Sequence, residues 1–109
     1  MCLEAKLKFM EAAVNAAIKG SNNNEGGPFG CVIVKDGKII GRGNNTVTST
    51  NDPTAHAEVN AIRDACKNLD SFQLDGCEIY TSCEPCPMCL GAIYWARPDK
   101  VYFGSNQTD

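Results

Sequence analysis

Cys77-Glu78-Ile79-Tyr80-Thr81, then Ser82-Cys83-Glu84-Pro85-Cys86-Pro87-Met88-Cys89, then Leu90-Gly91-Ala92-Ile93-Tyr94-Trp95-Ala96-Arg97-Pro98, then Lys100-Val101-Tyr102-Phe103: these four runs follow one another almost without a break. The first reads as a short strand. A helix starts near Pro85, where prolines cost little in the first turn, and Pro98 halts it after Arg97. The last run reads as a second strand. Upstream, Leu3, Leu7, Met10, Val14 and Ile18 recur at helical spacing, and Gly20 is expected to end that helix. Phe29 to Val34 and Ile39 to Gly43 flank Asp36-Gly37, a hairpin signal because a tight primed turn needs positive φ. The polar stretch from Asn44 to Pro53 reads as turns. Thr54 then reads as the N-cap of a helix with Val59, Ile62, Cys66 and Leu69 on one face. The order helix, strand, strand, helix, strand, helix, strand implies a three-layer α/β/α domain with a mixed, partly parallel central sheet. The last strand is expected at an uncovered edge, which invites pairing with another chain.

The 109 residues suffice for one domain, taken as residues 1–109. At this length roughly two thirds of the unfolded surface is buried, so a core forms without disulfides. Hydrophobic residues make up 43% and charged residues 21%, ordinary for a globular protein, and no apolar run has the ~20 residues of a membrane span. The start, Met1-Cys2-Leu3-Glu4-Ala5-Lys6-Leu7, lacks the apolar run of a secretory signal. A soluble protein of the cytoplasm is expected. The net charge of −3 disfavours a nucleic-acid partner, because backbone binding draws on a basic excess, and favours a small neutral substrate.

Of the seven cysteines, Cys2, Cys31, Cys66 and Cys77 stand singly in apolar segments and read as buried small hydrophobes. Cys83, Cys86 and Cys89 are clustered, which in a reducing compartment points to metal or redox chemistry. Cys86 and Cys89, three apart at a helix start, share one face where the helix dipole favours thiolates. Thr54-Ala55-His56-Ala57-Glu58 forms a second constellation in the first turn of the other helix. With Thr54 as N-cap, a capping box would need its carboxylate at Ala57, so Glu58 has no capping duty. A redox pair would leave His56 and Glu58 unused. His56 with Cys86 and Cys89 makes three protein ligands, the number a catalytic zinc takes with water in the fourth position. Cys83 as a fourth ligand would make the site structural instead. Two thiolates balance the metal's charge, and Glu58 is the carboxylate both motifs bring near it, suited to carry a proton.

His56-Ala57-Glu58 followed by Pro85-Cys86-Pro87-Met88-Cys89 is the signature of zinc deaminases, so the chain resembles the cytidine deaminase-like superfamily. Gly26-Gly27-Pro28-Phe29-Gly30, Asn51-Asp52-Pro53-Thr54-Ala55-His56-Ala57-Glu58 and the run Tyr80 to Pro98 look most like the bacterial guanine deaminases. The resemblance covers about residues 26 to 104. It implies a zinc-dependent hydrolase acting on a cyclic amidine C–N bond, with one zinc per chain on His56, Cys86 and Cys89. Glu58 is then the proton shuttle, and Asn45, Phe29, Ala57 and Trp95 contact the substrate. The implied reaction of purine metabolism is attack of zinc hydroxide on carbon 2 of guanine, giving xanthine and ammonia.

Guanine deaminases continue past the point where this chain ends, so a C-terminally shortened cytidine deaminase-like fold is expected. In that family the C-terminal segment is exchanged between subunits, and a homodimer is expected here. Three readings therefore compete: a guanine-type nucleobase deaminase; a tRNA adenosine or cytosine deaminase sharing the metal motif; and a zinc-stabilised module without turnover.

Overall fold

Asp36 and Gly37 occupy the left-handed region, at φ 52° and 77°, as a primed turn requires. Around them β1 (Gly30–Lys35) pairs antiparallel with β2 (Lys38–Asn44), with Lys35 opposite Lys38 and Gly30 opposite Asn44. On its other side β1 pairs antiparallel with β3 (Cys77–Thr81), and β3 pairs in parallel with β4 (Lys100–Phe103). The computed structural model describes residues 3–105 and gives one mixed sheet of order β2-β1-β3-β4. The expected edge position of β4 is therefore observed.

Alternation along β1 divides the core in two. Val32 and Val34 point to one face, with Tyr80 of β3, and pack against Phe9 and Ala13 of α1 (Leu3–Asn22). Cys31 and Ile33 point to the other, with Cys77 and Ile79, where they meet α3 (Ala57–Leu69) and α4 (Pro87–Ala96). These are the three expected layers. A single helical turn, α2 (Val47–Thr50), lies within the stretch read as turns.

Three local expectations are corrected. Most of the expected apolar face of α1 does not face the sheet: Leu3, Leu7, Val14 and Ile18 are exposed and Met10 is partly buried, while Phe9, Ala13, Ala17 and Gly20 are buried. The cause is the closeness of the helix to β1. A Cβ on Gly30 would lie 2.2 Å from the Ala13 carbonyl and 2.5 Å from the Ala17 nitrogen, so only small side chains fit there. Gly20 does not end the helix; it admits the Asn44 side chain, whose Nδ2 would lie 2.4 Å from a Cβ. Thr54 is not the cap of α3. Its N–H and hydroxyl both donate to Asp52 Oδ1, and His56 takes the N-cap position.

Among the described residues no helix is long and apolar enough to cross a membrane. Cys31 and Cys77 are buried as expected, and Cys66 is half-buried; Cys2 lies outside the described residues.

Candidate active site

The start of β1, the end of β2 and the end of β3 lie at one end of the sheet, through the pairings Gly30–Asn44 and Cys31–Thr81. The chain enters α3 and α4 there. Each N-cap is a candidate metal ligand in extended conformation: His56 at φ −73°, ψ 158° and Cys86 at φ −72°, ψ 169°. Pro87 supplies a preset φ inside α4. Cys86 Sγ accepts the Cys89 N–H at 3.5 Å, so the thiol serves as cap and faces the same side as Cys89.

His56 Nδ1 lies 3.6 Å from Cys86 Sγ and 3.6 Å from Cys89 Sγ. All three donor atoms fall within 4.8 Å of one another. Tetrahedral zinc with Zn–N near 2.05 Å and Zn–S near 2.3 Å sets nitrogen and sulfur about 3.6 Å apart. The donor set therefore fits zinc in both chemistry and spacing. Cys83 does not belong to this group, which leaves three protein ligands among the described residues and removes the four-ligand structural site. The described cysteines are free thiols, with no disulfide between the clustered ones.

Without a cation the Cys89 thiol is costly to ionise. Burial pushes the Cys89 thiol far up, and the Glu58 carboxylate and Cys86 add to the rise. Desolvation raises the Cys89 thiol despite its place at a helix start. A divalent ion reverses the balance by pairing with the thiolates. Cys31, beneath the site on β1, is raised by burial first and then by Glu58 and Cys89.

Glu58 is 8% exposed, in the first turn of α3. It lines a cavity of about 270 Å³ together with Phe29, Asn45, His56, Ala57, Cys83, Glu84 and Cys86. That volume is at the small end for ligand sites, the size for a compact ring system. Of the expected substrate contacts, Asn45, Phe29 and Ala57 line the cavity. Trp95 does not: it is 75% exposed on α4, edge-on to Tyr94. In the single chain, then, it walls nothing, because α4 turns that flank away from the site.

Asn45 Oδ1 accepts the Val47 N–H at 3.0 Å, which directs its Nδ2 donors elsewhere. A Cβ on Gly26 would lie 2.5 Å from that same Oδ1, so glycine there is what lets the asparagine sit in place. Sequence reasoning missed Ser82 and Glu84 as cavity-lining residues. The Ser82 hydroxyl accepts the Gly30 N–H at 3.0 Å and joins the cavity's end of β1 to the turn before α4. Their position inside the cysteine motif was the available signal.

Residues 3–105 match the family model described as the cytidine and deoxycytidylate deaminase zinc-binding region. The chain is 64% identical over 101 residues to the guanine deaminase of Bacillus subtilis (strain 168), covering 93% of this chain and 65% of that protein. It is 42% identical over 97 residues to the tRNA-specific adenosine deaminase of Aquifex aeolicus (strain VF5), covering 89% of this chain and 64% of that one. The X-ray structure of the Bacillus subtilis guanine deaminase superposes with a TM-score of 0.94 at 61% identity, over 100% of this chain and 68% of that chain. The chain thus spans about two thirds of the length of these relatives.

Proposed function

We infer the reaction from one premise, that this chain belongs to the cytidine and deoxycytidylate deaminase family. We propose that it hydrolyses the exocyclic amine of guanine, yielding xanthine and ammonia. The observation that carries the reading is the three-donor group of His56, Cys86 and Cys89 beside the buried carboxylate of Glu58, at one small cavity. Guanine is favoured over adenosine in tRNA by 64% identity against 42%.

In this reading His56 Nδ1 and the sulfurs of Cys86 and Cys89 hold the zinc. When bound, zinc supplies Lewis acidity that makes a water's proton removable near neutral pH. Glu58 takes a proton at its carboxylate and returns it to the departing amine, as a bond from carbon 2 to oxygen replaces the bond to nitrogen. Burial keeps that carboxylate from bulk water. Asn45, with Oδ1 engaged by Val47, offers Nδ2 to an acceptor on the ring, and Phe29 supplies an aromatic wall. The N–H of Ala57, in the first turn of α3, is a donor no carbonyl of its own helix can use.

A homodimer is part of the proposal. The exposed Leu90, Tyr94 and Trp95 of α4 support it. A cytoplasmic location is supported by the free cysteines, since thiolate ligands persist in a reducing compartment.

The test is ammonia release by zinc-loaded protein from a panel of free bases, nucleosides and tRNA. Guanine should be consumed fastest. Turnover of cytosine or of tRNA with guanine untouched would overturn the substrate, and no turnover of any base would favour a zinc-stabilised module.

A further inference from the structure

Asn60 takes no part in the chemistry above, yet three segments of the site meet on its amide. Its Nδ2 lies 2.9 Å from the Asn44 carbonyl, 3.0 Å from Thr46 Oγ1 and 3.3 Å from the Ala55 carbonyl. Two of these are main-chain oxygens, which only accept, so the amide's donor end belongs here. Asn44 ends β2 and precedes Asn45, Thr46 leads into α2, and Ala55 precedes His56. The Thr46 N–H donates to the Ala55 carbonyl at 3.0 Å, and the Asn60 N–H closes the first turn of α3 on the His56 carbonyl at 3.0 Å. One side chain therefore joins the strand end that carries Asn45 to the helix start that carries His56 and Glu58.

We propose that Asn60 is a positioning residue, setting the distance between the base-holding Asn45 and the proton-carrying Glu58. This rests on the guanine reading above for the roles of those two residues. The physical requirement is specific. The site needs a neutral group with two hydrogens, aimed at two main-chain carbonyls, which only accept, and at the Thr46 hydroxyl between them. Ala55 is 2% exposed, so water has little access to replace the bond to its carbonyl. Without the clamp, the segment from Asn44 to Val47 keeps its bonds to Phe29 and Ala55 but loses the side-chain tie to α3. A base held by Asn45 then stands less well defined over Glu58, and small displacements of a reacting group are costly.

The experiment compares zinc-loaded wild type with Asn60→Asp and Asn60→Ala. Asn60→Asp keeps the shape but turns oxygens toward oxygens; Asn60→Ala deletes the group and serves if the carboxylate prevents folding. Zinc content, steady-state ammonia release from guanine and amide hydrogen exchange are measured on each. The expected result is unchanged zinc content, a kcat for guanine lowered about tenfold or more with a smaller change in KM, and faster exchange confined to Asn45, Thr46, Val47 and His56. An unaltered kcat with unaltered exchange would overturn the assignment. So would exchange that quickens evenly through α3 and the sheet, the mark of a merely structural residue. If wild type itself leaves guanine untouched, the substrate reading fails, and the exchange comparison alone decides the role of Asn60.

Discussion

Glu58 carries the heaviest burden of any single side chain. Its carboxylate is buried in the first turn of α3, beside the Cys89 thiol to which it is hydrogen-bonded. Glu58→Gln keeps the shape and removes the proton site. Activity should fall by roughly 10²–10⁴ while zinc content stays unchanged, measured as ammonia release alongside metal analysis. Tyr80 offers a test unrelated to catalysis. It is 1% exposed, and its hydroxyl donates to Glu78 Oε1 at 3.1 Å; burial first, and then that bond, push the phenol far above its ordinary value. The fold favours the neutral phenol. Its contribution to stability is therefore whole below pH about 10 and is lost as the pH rises through the elevated value. In an ultraviolet absorbance titration, one of the three tyrosines should ionise only as the chain unfolds, and Tyr80→Phe should abolish that step.

Among the elements, the contact between β2 and the start of α3 governs the site. A Cβ on Gly43 would lie 2.4 Å from both the Ala57 carbonyl and the Ala61 nitrogen, which are main-chain atoms that cannot step aside. Gly43→Ala should cost about 1–3 kcal/mol in denaturant unfolding and also weaken zinc binding, because it pushes away the turn that holds His56 and Glu58. Gly37→Ala, where a Cβ meets nothing within 4 Å but φ is 77°, serves as a control that strains the hairpin without touching the site. Such contacts are invisible in sequence, and so was the orientation of α1. Spacing showed that Leu3, Leu7, Val14 and Ile18 share a face, but not that the alanine face would dock, since that depends on how near the helix lies to Gly30. Strands β3 and β4 were legible to the residue, bounded by Pro98 and by the cysteine motif. The cap of α3 was misread because Thr54 is a preferred cap type, but Asp52 claims it and the helix starts two residues later, with His56 in the cap position and no side-chain cap bond.

Across the whole molecule, the site exists because the fold brings residues thirty apart in sequence to one end of the sheet. The three ligands were legible through chemistry: an imidazole and two thiols at two helix starts, with a carboxylate that capping does not explain. Asn45, Phe29 and Ala57 followed from resemblance and do line the cavity, while Trp95 does not. Asn60 gave no signal, because a lone asparagine on a helix carries no pattern until its three acceptors are seen together. The central claim is a zinc held by three side chains with its fourth position left to water. X-ray absorption at the zinc edge of the native protein tests it most directly. The account predicts one zinc per chain with two sulfurs at about 2.3 Å and two lighter atoms at about 2.0–2.1 Å. A third or fourth sulfur in the shell, or protein that binds no zinc, would contradict it.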